Sequence, residues 1–137
     1  MTRVVHTSLA ALLLASSLSY AGANPAERLA EAVRIQTISY QDRSQINPEE
    51  FRRFHEFLMA TYPLVFARLE VQTVNDYSLL IRWPGSDPGL APILFTAHMD
   101  VVPIEPGTEG DWQHPPFAGV VVDERIYGRG TLDDKQG

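Results

Sequence analysis

His98 and Asp100 stand two residues apart, and Asp133-Asp134-Lys135 follows 35 residues after the histidine. These are the residue types that can do chemistry in this chain. A neutral imidazole is a good metal ligand, and its second nitrogen usually donates to a carboxylate that fixes the tautomer. In extended backbone, residues i and i+2 point the same way, so Asp100 can reach the His98 ring or a water beside it. The competing reading of His-x-Asp is a hydrogen-bonded histidine at a strand end. Adjacent carboxylates repel unless a cation or donor offsets them. A metal on Asp133 would do that, and Lys135 could do part of it with no metal. The plainer reading of Asp133-Asp134-Lys135 is a solvated turn of charges. There are no cysteines, so a metal site here would use His, Asp and Glu.

Composition narrows the classes. Of 137 residues, 45% are hydrophobic and 20% charged, which suits one globular domain rather than a disordered tail. The net charge is −6 and no Lys/Arg run occurs, so nucleic acid is excluded as a partner on charge grounds. Arg3, the apolar run Leu9–Ala15 extended by Leu18, and the small residues around Ala21 and Ala23 describe a secretory signal peptide over residues 1–23. Cleavage after Ala21 or after Ala23 fits equally. The apolar run is shorter than the ~20 residues a spanning helix needs. The expected location is secreted or periplasmic, with no stable membrane insertion after cleavage.

The elements that must position these residues follow from local patterns. Asn24-Pro25-Ala26-Glu27 and Asn47-Pro48-Glu49-Glu50 are helix starts, giving helices over about 25–36 and 48–60. The polar segment 39–46 between them is a loop. Leu69, Val71 and Thr73 alternate as a half-buried strand, Asn75-Asp76 turns, and 77–83 forms a second strand. Residues 84–89 are a loop. Residues 92–97 form an apolar run expected as a strand buried on both faces, ending in His98 and Asp100. Residues 103–116 form a loop, Val120–Val122 a short strand, and Gly128-Arg129-Gly130 a tight turn. Ligand crevices of open α/β sheets lie off the carboxyl ends of strands, which is where His98 and Asp100 fall. Trp112 and Phe117 are expected to pack the loop. His114 is expected at the surface, His55 half-buried on a helix, and Arg129 in a structural ion pair.

Three blocks together resemble one family. They are Ala97-His98-Met99-Asp100-Val101-Val102-Pro103, then Trp112 with Pro115-Pro116-Phe117, then Ile126-Tyr127-Gly128-Arg129-Gly130-Thr131-Leu132-Asp133-Asp134-Lys135. Their order and spacing resemble the di-zinc aminoacylases and carboxypeptidases, which include carboxypeptidase S, aminoacylase and the succinyl-diaminopimelate desuccinylases. Ile35-Gln36-Thr37-Ile38-Ser39-Tyr40 is similar to the carboxypeptidase S-like branch. The resemblance implies an α/β fold, the N-terminal part of a mostly parallel sheet flanked by helices. It implies that His98 binds one zinc, that Asp133 bridges two, and that Asp100 is the catalytic-site acid supporting the histidine. Asp134 is not the bridge, since some relatives carry Met there, and the bond after the bridging Asp can be cis. The implied cofactor is Zn2+, two ions per complete site, with Co2+ or Mn2+ acceptable to the same donors. The implied substrate is a small peptide or an N-acyl amino acid.

The resemblance also places a general-base Glu, further ligands and a smaller lid and dimerisation domain downstream of Lys135. Residues 24–137 are therefore expected to be a truncated N-terminal portion of the catalytic domain. Such a portion would bind zinc weakly, hydrolyse nothing alone, and dimerise only as part of the full-length protein. The alternative is a non-catalytic binding module or pseudo-enzyme remnant of the same fold. A serine hydrolase is disfavoured, because no Gly-x-Ser-x-Gly pattern occurs.

Overall fold

The computed structural model describes residues 24–137; residues 1–23, where a signal peptide is expected, lie outside the described residues. Helix α1 spans Pro25–Arg34 and helix α2 spans Pro48–Thr61. Both begin as their sequences require. The Asn24 side chain accepts the Ala26 N–H at 3.1 Å while Glu27 takes the Asn24 N–H at 3.3 Å. Asn47 accepts the Glu49 N–H at 3.1 Å. Such caps satisfy amides that the helix itself leaves without partners. A short helix, α3 (Pro63–Arg68), follows Tyr62 directly. Its alternation-free sequence gave no strand signal, and its helical character was not anticipated.

The strands pair as hairpins. Strands β1 (Glu70–Val74) and β2 (Ser78–Arg82) run antiparallel, with Val74 opposite Ser78. Asn75 and Asp76 turn between them at φ 50° and 67°. Strands β3 (Val120–Val122) and β4 (Arg125–Tyr127) form a second antiparallel pair. Its turn residues Asp123 and Glu124 have φ 50° and 59°, the mirror-image turn that matches strand twist. Strand β4 had no counterpart in the sequence reading. The fold among described residues is thus a small mixture of helices and antiparallel hairpins. Its parallel contact is an isolated bridge between Ile38 and Val101.

The run 92–97 departs from expectation. It carries no strand, and Ile93, Leu94 and Phe95 are 81%, 78% and 89% exposed. A buried strand needs ladder partners beside it and cover on its faces. No described strand lies alongside to supply either. The backbone becomes fixed only at residues 99–101, where it meets residues 37–39.

The core lies between the helices and that meeting point. Ala32, Ile35 and Phe54 are buried together, with Phe57, Leu58 and Met99 packed against them. Val33, Thr37 and Val101 are also buried. Helix α1 packs on the β3–β4 hairpin, and Arg34 donates to the Ala118 and Gly119 carbonyls at 3.0 and 3.1 Å. Gly119 makes this approach possible. It has φ +56°, and a Cβ there would sit 2.2 Å from the Ala30 carbonyl oxygen.

Gly119→Ala is therefore expected to cost about 2–4 kcal/mol, from backbone overlap and an unfavourable φ. Gly85→Ala, whose Cβ would meet nothing within 4 Å, should be near neutral. Urea midpoints followed by circular dichroism check both; equal midpoints would show that α1 does not rest on Gly119.

Candidate active site

Residues 98–100 are held from beneath by the segment after α1. The Val101 N–H donates to the Thr37 carbonyl at 2.9 Å, and the Ser39 N–H donates to the Val101 carbonyl at 3.0 Å. The buried Thr37 hydroxyl donates to the Met99 carbonyl at 2.5 Å. Met99 packs against the core, so its neighbours His98 and Asp100 emerge on the opposite side.

The loop 128–137 approaches from the other direction. Gly130, at φ +90°, lies so close to Val101 that a Cβ would be 2.7 Å from its Cγ1. The Lys135 N–H closes the loop onto the Gly130 carbonyl at 3.0 Å. The Lys135 ammonium donates to the Ala32 carbonyl at 2.9 Å and also to the Ile35 carbonyl. It lies 4.9 Å from the centre of the Phe54 ring. A cation at a helix C-terminus meets the negative end of the backbone dipole. Lys135 therefore anchors the loop to α1 and is not spent on its neighbouring aspartates. Burial pushes its pKa down to about 8, opposed by the charge of Glu50.

These two supports bring His98 and Asp133 together. His98 Nε2 lies 2.8 Å from Asp133 Oδ1. His98 Nδ1 lies 3.0 Å from the Asp100 carbonyl oxygen and 3.2 Å from Asp100 Oδ1. Both ring nitrogens thus face oxygen acceptors. A neutral imidazole has one N–H and can satisfy only one side. Whichever tautomer forms, a lone pair meets an oxygen, and a second cation on the ring relieves the conflict. In the metal-free chain that cation is a proton. The Asp133 hydrogen bond first, then that of the Asp100 carbonyl, raises the His98 pKa above its usual 6.5, with slight desolvation opposing. The Asp133 side chain is 90% exposed, so its outer face is open to further groups. The Asp133–Asp134 peptide bond is cis.

The structure therefore brings His98, Asp100 and Asp133 to one place. Among the described residues, no group of three or more His, Cys, Asp or Glu gathers as a metal cage. His98 and Met99 line an open cleft of about 530 Å3 with Leu29, Phe54, Tyr62 and Leu79. Of the other residues singled out, His55 is half-buried, its Nε2 2.9 Å from the Tyr77 carbonyl. His114 is not at the open surface: it is half-buried with its ring edge-on to Tyr127 at 4.6 Å. Arg129 lies 5.1 Å over the Trp112 ring, a cation–π contact where an ion pair was expected. Ser39 was missed. Its hydroxyl donates to Asp100 Oδ2 at 2.6 Å.

In the metal-free chain, the His98 ring is expected to titrate above 6.5, and Asp133→Asn to lower that midpoint towards 6.5. NMR titration of the ring protons measures both. The linked stability is fullest below about pH 6.5 and fades as pH rises through the raised midpoint. A wild-type midpoint at or below 6.5 would show that the contact with Asp133 does not form in solution.

Residues 94–137, which include His98, Asp100 and Asp133, match the model of Peptidase family M20/M25/M40. The chain is 44% identical over 112 residues to a probable carboxypeptidase S-like 2 of Dictyostelium discoideum, covering 80% of this chain and 21% of that protein. It is 42% identical over 111 residues to an N-fatty-acyl-amino acid synthase/hydrolase of Xenopus tropicalis, again 80% and 21%. It is 39% identical over 118 residues to carboxypeptidase S of Saccharomyces cerevisiae, covering 80% and 20%. The chain spans about a fifth of the length of these curated relatives. Residues 94–137 thus match Peptidase family M20/M25/M40, and over about 80% of its length the chain is similar to carboxypeptidase S-like proteins.

Proposed function

We propose that this chain contributes to a secreted, zinc-dependent hydrolase that cleaves amide bonds of small peptides or N-acyl amino acids. The single observation that carries the reading is the 2.8 Å approach of His98 Nε2 to Asp133 Oδ1. An imidazole with acceptors on both sides and a carboxylate open to solvent form half of a cation site. The donor chemistry fits zinc, with cobalt or manganese as substitutes. His98 would be a terminal ligand and Asp133, with two oxygens, a bridging one. When bound, the metal supplies a Lewis acid and an acidified water.

The chain's own residues do the rest of what can be derived. Asp100 holds the His98 ring through Nδ1, leaving Nε2 directed at Asp133. Lys135 and Gly130 fix the height of the Asp133 loop. A catalytic zinc site takes three protein ligands, so this one draws on donors beyond His98 and Asp133, together with a general-base carboxylate.

The names of the relatives support the substrate class: carboxypeptidases on one side, a fatty-acyl-amino acid synthase/hydrolase on the other. The parallel bridge at Ile38 and Val101 and the uncovered run 92–97 support a larger, mostly parallel sheet flanked by helices. The leader-like first 23 residues support export to the periplasm or exterior. Among the described residues, no helix is long and apolar enough to cross a membrane.

The test uses the protein that carries this segment, assayed on dipeptides and N-acyl amino acids. Chelation should abolish turnover and zinc should restore it. His98→Ala and Asp133→Ala should each lower kcat/KM by at least about a thousandfold, because each removes an interaction with the metal that the reaction needs. Turnover untouched by chelator, or by both substitutions, refutes the metal reading. A folded protein that turns over neither substrate class favours the non-catalytic module.

A further inference from the structure

We propose that Ser39 is a positioning residue for this site: its hydroxyl holds the Asp100 carboxylate in the orientation that faces the His98 ring. The segment carrying Ser39 lies some 60 residues before the histidine, and none of the carboxylates or imidazoles singled out for chemistry belongs to it. Its geometry nevertheless completes a continuous row. Ser39 Oγ is 2.6 Å from Asp100 Oδ2, Asp100 Oδ1 is 3.2 Å from His98 Nδ1, and His98 Nε2 is 2.8 Å from Asp133 Oδ1.

Each link has a direction. An ionised carboxylate only accepts, so the Ser39 hydroxyl must be the donor. That bond occupies one carboxylate oxygen and leaves the other for the ring. Asp100 gains from such a hold, because its side chain is 40% exposed and, within the row, its other contact is with the likewise exposed His98 ring. Ser39 is well placed to give it. Its backbone is bonded to Val101 at 3.0 Å, and the buried Thr37 two residues earlier is tied to Met99 and Val101. The hydroxyl therefore projects from a fixed backbone, whereas the carboxylate it meets would otherwise turn into solvent.

The consequence for metal affinity rests on the metallohydrolase reading above; the consequence for the ring does not. Groups that orient a metal-binding histidine are commonly worth 10–100-fold in affinity. Ser39 acts one bond further out, so the lower end, about tenfold, is expected.

The experiment compares wild type, Ser39→Ala and Ser39→Thr in the full chain, with circular dichroism as the folding check. At one fixed pH without metal, the ring nitrogens of His98 are observed by 15N NMR. Cobalt(II) alone is then titrated and followed by its visible absorption. Ser39→Ala is expected to shift the His98 ring resonances and weaken cobalt binding about tenfold. Ser39→Thr, which keeps a hydroxyl and suits extended backbone, should return both to within about twofold of wild type. The proposal is overturned if Ser39→Ala leaves the ring resonances unchanged, or if Ser39→Thr is as impaired as Ser39→Ala. Loss of folding in both variants also overturns it, because the role would then be structural. If wild type binds no cobalt while Ser39→Ala still moves the ring signals, the metal reading falls and the positioning role stands.

Discussion

The pairing of residues 37–39 with residues 99–101 is the constraint on which the site depends. It is short, with a backbone bond from each side and two side-chain hydroxyls, and it joins parts of the chain about 60 residues apart. Closing so long a loop costs entropy that a few hydrogen bonds alone would barely offset. The buried side chains of Thr37, Val101 and Ile35, with Met99 against the core, supply the remainder. Without this contact, His98 would hang from the unpaired segment before it. With it, an apolar core and a polar row share the same few residues, alternating in and out.

Opposite this edge, the loop ending in Lys135 is the second support. Its glycine permits a close approach that a side chain would block, and its lysine reaches across to the end of α1. Asp133 is carried between those two attachments. The anchoring is electrostatic at one end and steric at the other. Neither attachment uses the carboxylate itself, which leaves Asp133 available for the ring and for whatever ion joins them.

Much of this was legible from residue types. Asn-Pro at two helix starts set both long helices within two residues of their observed limits. His98, Asp100 and Asp133 were recognisable by chemistry and by the three blocks around them, and the structure brings them together. The misses have physical reasons. Periodicity described 92–97 as a buried strand, but burial requires neighbours, and a pattern within six residues contains no information about them. Strand β4 is as short as β3, but its Arg-Ile-Tyr lacks the run of three valines that marks β3. Ser39 stood within the 35–40 segment but had no legible role, because a serine has many ordinary uses; only its partner across the chain gives it meaning. Lys135 looked like a counter-ion to its neighbours, and the backbone turned it towards the helix instead.

The uncovered run from Leu90 to Ala97 contains eight residues and no charge. The chain's net charge of −6 resides elsewhere, so long-range repulsion between molecules does little to guard this stretch at contact distance. Its one built-in brake is Pro92, which lacks an amide proton and interrupts any ladder that tries to form along it. Left uncovered, these eight neutral residues are a contact surface that a second extended segment could cover from either side of the proline.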